Sequence, residues 1–241
     1  MTGRKETISL KKTARIAGIL ILAMSPLAIF SMMYVPSNIV VPGDAATTAG
    51  NVMASEGLYR IGMVSDSLVF LIEIALVAVL YVLFRPVNKA LSLVASFSRL
   101  AMTIVQGINL FNQFAALQLL SGADYLAVFE AGQLQALALL FINMQELLTH
   151  VWGIFFALHL VFLGYLVYKS DYIPRIFGIV LIVASACYFI QSWGNFLLPA
   201  YVEVLALVGL ISSIEIAFPF WLVIKGVRDQ QTAGLQEEAE I

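Results

Sequence analysis

The sequence predicts an all-α, polytopic membrane protein with six transmembrane helices, and three observations carry that expectation. Hydrophobic residues make up 61% of the 241 positions and charged residues 12%, with a mean hydropathy of +0.94. A soluble domain carries charges at about a quarter of its positions, so this composition excludes one. Apolar runs near or above 18 residues recur along the chain, the length a helix needs to cross a hydrocarbon core about 30 Å thick. The basic residues then sort by side. With successive runs crossing in alternate directions, eleven of the 13 Lys and Arg fall on one side: Arg4, Lys5, Lys11, Lys12, Arg15, Arg85, Lys89, Lys169, Arg175, Lys225 and Arg228. Basic loops resist translocation, so that side is expected to be cytoplasmic, with both termini there.

Residues 1–12 are a basic, cytoplasmic N-terminus, and residues 13–228 form one six-helix transmembrane domain. The first span covers residues 14–35. It is too long for a signal-peptide core, no A-x-A site follows directly, and Pro26 is expected to kink it. Residues 36–57, rich in Gly, Ala, Thr and Asn and free of Lys and Arg, read as an external polar loop. The second span (58–84) and the third (90–120) flank the turn Arg85-Pro86-Val87-Asn88-Lys89. Residues 121–147 carry Asp124, Glu130 and Glu146 without a basic residue, around the apolar core LQALALLFI. As a seventh span they would put Lys169, Arg175, Lys225 and Arg228 outside. They are therefore expected to form an additional external or partly inserted helix.

The fourth and fifth spans organise the chain. The runs 151–168 and 176–188, the latter continuing outward, flank a short break with Lys169, Asp171, Pro174 and Arg175. The break is too short for a linker, so the two runs make an antiparallel hairpin. Pro174 is tolerated if it begins the second arm. Pro199 and Glu203 mark an outer turn, the sixth span ends near Lys225, and residues 229–241 read as a disordered acidic tail. A weak internal echo sets Arg15-Ile-Ala-Gly18 beside Arg175-Ile-Phe-Gly178.

The stretch GIFFALHLVFLGYLVYKSDYIPRIFGIVLIVAS, with KKTARIAGILILAMSPLAI near the start, resembles the prokaryotic membrane-protein family called domain of unknown function 4386. The resemblance covers about residues 11–228 and is most specific in the fourth and fifth spans. The family pattern more usually has glycine where Asp171 stands. It implies a multipass protein of a prokaryotic inner (plasma) membrane, and it implies no reaction and no functional residue.

Ionisable groups within spans are costly in hydrocarbon, so each needs a partner or an aqueous cavity. About the turn at Pro86, Glu73 and Arg99 are each 13 positions away, and Asp66 and Gln106 each 20. Heptad spacing aligns Asp66 with Glu73 and Arg99 with Gln106 and Gln113, which predicts Glu73–Arg99 and Asp66–Gln106 pairs along one seam. His159 and Glu215 lie at a similar depth. Glu73, Arg99, His159 and Glu215, with Asp66 and Gln106, are therefore the candidate binding layer; the alternative is that the seam only locks helices together. No catalytic residue is identifiable. One cysteine (Cys187), two histidines and the absence of HExxH spacing leave no expected metal site, and no cofactor motif is present. The expected partners are the lipid bilayer and a small polar solute or lipid, with no nucleic acid. The functions left open are binding or transport of a small solute, ion or lipid; an intramembrane enzyme using His159 with a carboxylate; and a purely structural or partner-binding role.

Overall fold

The computed structural model describes residues 9–227. Arg4, Lys5, Arg228 and the acidic stretch 229–241 lie outside the described residues. The described chain is all-helical, and six of its helices are long and apolar enough to cross a membrane: Leu10–Ile39, Glu56–Phe84, Lys89–Leu119, Ala131–Lys169, Arg175–Leu197 and Pro199–Ile224. These are called the first to sixth spans below. Their surfaces are inverted relative to a soluble protein. Leu71, Phe111, Leu210 and Ile224 are exposed, whereas Asp66, Glu73, Arg99 and His159 are buried. The multi-pass membrane architecture follows from that inversion together with the span lengths.

Breakers set the turns. Pro86 lies in the turn between the second and third spans, and the Asn88 side chain caps the third by accepting from Leu91 N–H at 2.9 Å. Between the fourth and fifth spans, Ser170 to Pro174 form the break and Arg175 opens the next helix. Tyr172 in that break donates its hydroxyl to the Leu83 carbonyl at 2.8 Å and stacks on Phe84, tying the turn to the end of the second span. Burial pushes its hydroxyl above the ordinary tyrosine value. Leu10, Val87, Tyr172, Ile173 and Val227 share one apolar cluster, so both ends of the described chain gather with the basic turns.

Small residues let the fourth and fifth spans touch. A β-carbon on Gly164 would lie 2.8 Å from the Gly178 carbonyl oxygen, and one on Gly178 would lie 2.6 Å from that of Gly164. One helical stretch further on, Ser185 donates to the Ala157 carbonyl at 2.7 Å across the same seam.

Two expectations need correction. Residues 121–147 do not form a separate external helix. From Ala131 onward they are continuous with the fourth span, a single helix of 39 residues. The reason is that no proline falls between Ala131 and Lys169, and good helix formers fill residues 133–148. The helix starts at Glu130, whose N–H donates to the Gln133 side chain at 3.0 Å. At about 1.5 Å per residue it reaches about 58 Å, roughly twice the hydrocarbon thickness. The polar loop 36–57 is also more ordered than expected, because Ala45–Ala54 is a helix. Asp44 caps it, accepting from Thr47 N–H at 2.9 Å and Thr47 Oγ1 at 2.6 Å, and these bonds hold its carboxyl below the ordinary value. Val52 of this helix packs with Ile39, Tyr59, Ala116, Ala138 and Ile142 in a second apolar cluster, which braces the extended half of the fourth span.

Candidate functional site

At the centre of the bundle the second, third and fourth spans place Glu73, Arg99 and His159 together, at 5%, 4% and 1% exposure. Arg99 Nε donates to Glu73 Oε2 at 2.6 Å and Nη2 to Oε1 at 2.8 Å, a two-pronged pair that matches the planar guanidinium to the carboxylate. Arg99 Nη1 lies 3.0 Å from His159 Nε2, and His159 Nδ1 lies 2.8 Å from the Ala95 carbonyl oxygen. A carbonyl only accepts and a guanidinium only donates. The proton therefore sits on Nδ1, and the ring is neutral with both nitrogens used. Arg99 stands between His159 and Glu73, and among the described residues no carboxylate hydrogen-bonds to the ring. His159 therefore pairs with a guanidinium and a backbone carbonyl and not with a carboxylate that could orient it as a base.

Beside this triad lies a cavity of about 300 Å³, lined by residues from all six spans. That volume is at the small end of the range of small-molecule sites, about 300–1,000 Å³. Its wall is mostly apolar, including Met24, Met102, Leu160, Leu181 and Phe218. Five of the six sequence-predicted residues face it: Asp66, Glu73, Arg99, Gln106 and Glu215. The sixth, His159, sits behind Arg99.

The expected Asp66–Gln106 pair is not formed. Asp66 instead accepts from Gln113 Nε2 at 3.0 Å, while Asn109 donates to Gln106 at 3.4 Å. Side chains lean toward the N-terminus of their own helix. In an antiparallel pair, residues at equal Cα depth therefore lean apart; the long Arg99 side chain spans that offset to Glu73, whereas Asp66 meets a partner two turns further along the third span.

Glu215 owes its position to a broken helix. Residues Ser213–Ile216 form a 3₁₀ turn inside the sixth span, and Pro219 follows Glu215 by four positions. Proline has no N–H to donate to the carbonyl four residues back, and its ring crowds that carbonyl, so the helix tightens at Glu215. Tyr188 donates its hydroxyl to Glu215 Oε1 at 3.0 Å. The first span carries a matching irregularity. Phe30–Tyr34 is a π-helical stretch, and Pro36 stands four residues after Met32, a cavity residue. Tyr188 was not legible as a site residue, but Pro219 after an in-span Glu215 was a readable signal of a break.

An aromatic cluster completes the wall. Trp152 and Phe156 stack at 4.9 Å, Phe156 meets Tyr188 edge-on at 4.9 Å, and Trp152 meets Tyr188 at 6.2 Å. Phe156 also lies 5.8 Å from the Arg99 guanidinium carbon. Among the described residues no group of three or more His, Cys, Asp or Glu is arranged to hold a metal ion.

Six helices long and apolar enough to cross a membrane, packed around a mostly apolar cavity that Asp66, Glu73, Arg99 and Glu215 line, define the class: a multi-pass membrane protein. The chain belongs to the family described as domain of unknown function (DUF4386), whose family model matches residues 16–226. It is 27% identical over 159 residues to an uncharacterized protein of Archaeoglobus fulgidus, covering 66% of this chain and 80% of that protein. No solved structure matches.

Proposed function

We propose that this protein binds, and carries across the membrane, a small solute with a polar group and an apolar body, using the cavity beside the Glu73–Arg99–His159 triad. The observation that carries the reading is the cavity itself. It is apolar over most of its wall and has a few convergent charged groups, the composition of a small-molecule site. The broken sixth span supports it, because interrupted helices at mid-membrane are a recurrent way of building solute sites. The bias of Lys and Arg supports placing the basic end in the cytoplasm, and the archaeal relative supports a prokaryotic plasma membrane.

A cavity that handles a polar solute must be reachable from water. With Cys187 replaced by serine, single cysteines at Thr103 and Ser213 are expected to react with water-soluble thiol reagents in lipid nanodiscs. Cysteines at Ile74 and Ile108, which are exposed on the bundle exterior, are expected to stay inert. Failure of every available reagent at both cavity positions would overturn the reading.

A further inference from the structure

The charges around the cavity do not balance, and the imbalance indicates what it takes. Asp66, Glu73 and Glu215 bring three carboxyl groups to its wall against one guanidinium, Arg99. Glu73 occupies Arg99 with both oxygens, and His159 takes a third donor. Among the described residues, no basic side chain forms an ion pair with Asp66 or Glu215. Their hydrogen-bond partners are neutral, Gln113 and Ser31 for Asp66 and Tyr188 for Glu215, and Arg99, already paired with Glu73, acts on Glu215 only at longer range. A carboxylate away from bulk water is strongly favoured by a positive partner. An anion entering here would instead meet two carboxyl groups that have no ion pair of their own, whereas a cation would supply one.

The wall next to Glu215 has a second feature that favours positive charge. Trp152, Phe156 and Tyr188 gather there, with Tyr188 bonded to the carboxylate; Phe156 already stacks on Trp152 and His159 and holds Arg99, which leaves Trp152 and Tyr188 for an entering cation. Aromatic faces attract cations through their quadrupoles, most strongly where water is excluded, and they do so for quaternary ammonium groups that donate no hydrogen bond. Carboxylate and aromatic faces together suit a cation that also presents carbon surface, more than a bare metal ion. The apolar remainder of the cavity accommodates that carbon.

We therefore propose that the solute is an organic cation, an amine or quaternary ammonium on a small apolar body, held by Asp66, Glu215 and the aromatic cluster. The proposal rests on the solute-binding reading above and deepens it.

The test compares reagent charge at one position. In full-length protein carrying Cys187→Ser and Thr103→Cys, in nanodiscs, a trimethylammonium methanethiosulfonate is set against its sulfonate analogue. Each rate is divided by that reagent's rate with a free thiol in solution. The cationic reagent is expected to be favoured at least about tenfold, and millimolar benzyltrimethylammonium is expected to slow it several-fold. Adding Asp66→Asn and Glu215→Gln is expected to bring the ratio close to one. The charge comparison is made with both carboxyl groups intact, so it stands even if those substitutions impair folding. Equal rates, or preference for the anionic reagent, would overturn the cation proposal and leave a solute-accessible cavity. No reaction with either reagent, here and at Ser213→Cys alike, would remove the solute-binding reading with it.

Discussion

Replacing either member of the Glu73–Arg99 pair tests whether the centre of the bundle is held as described. Arg99→Gln removes two bonds to Glu73 and one to His159, and strands a carboxylate that is 5% exposed. Glu73→Gln leaves the guanidinium charged, with a neutral amide in place of two anionic oxygens. Breaking a buried pair from one side costs about 3–5 kcal/mol, so each single change is expected to destabilise by that amount. Independent effects would sum to about 6–10 kcal/mol in the double variant. The double variant has no uncompensated charge, and is expected to fall short of the sum by at least about 1.5 kcal/mol. Reversible unfolding in SDS, followed by the fluorescence of Trp152, Trp193 and Trp221, measures all three. Additivity within about 0.5 kcal/mol would show that the two side chains do not act as a pair.

Three further outcomes follow from the fold. Gly178→Ala would put a methyl group 2.6 Å from the Gly164 carbonyl, and is expected to cost about 1–3 kcal/mol in the same SDS titration. Pro219→Ala restores an N–H for the Glu215 carbonyl, so the variant is expected to unfold at higher SDS and to slow thiol labelling at Ser213→Cys. Asp44→Ala removes the cap of helix Ala45–Ala54, and is expected to speed amide exchange there while leaving the spans protected. Because the carboxyl value is lowered by folding, the cap acts in full above the ordinary carboxylate range. It is lost as pH falls through the depressed value.

The spans and the central ion pair were legible because both depend on one-dimensional features. Pro86 and Pro174 mark turns, and equal distance from Pro86 brings Glu73 and Arg99 to one depth. The two basic residues that break the charge bias, Arg60 and Arg99, prove to be paired, with Glu56 at 2.6 Å and with Glu73. The glycines of the internal echo, Gly18 and Gly178, both sit at helix crossings, Gly18 against the Pro219 carbonyl. What stayed hidden depends on direction and on tertiary support. The partner of Asp66 is set by side-chain lean, which residue counting ignores. Helix Ala45–Ala54 has an unremarkable, loop-like composition, and it is stabilised by Asp44 and by the packing of Val52 against distant spans. The fusion of residues 131–147 to the fourth span was hidden by the charge rule, which locates a segment relative to the membrane but says nothing of its continuity.

His159 separates a structural role from a chemical one. Its ring joins the Ala95 carbonyl of the third span to the Arg99 guanidinium, donating through Nδ1 and accepting through Nε2. To act as a base it would have to release Arg99, whose remaining partner is Glu73. His159→Phe removes a donor and an acceptor at once: the Ala95 carbonyl keeps only its helical N–H, and Arg99 Nη1 is left unmatched in a buried site. A stranded buried group costs about 1–3 kcal/mol, so this variant is expected to be clearly destabilised. His159→Gln offers one amide donor and one carbonyl acceptor on a side chain of similar reach. It is expected to recover most of that loss and to keep the cavity's preference for the cationic thiol reagent. An amide cannot exchange a proton as imidazole does, so recovery by Gln assigns His159 to positioning Arg99. If the Gln variant were as unstable as the Phe variant, hydrogen bonding to Ala95 and Arg99 would not be what the ring contributes. If it folded normally but lost the charge preference, the ring itself would belong to the solute site.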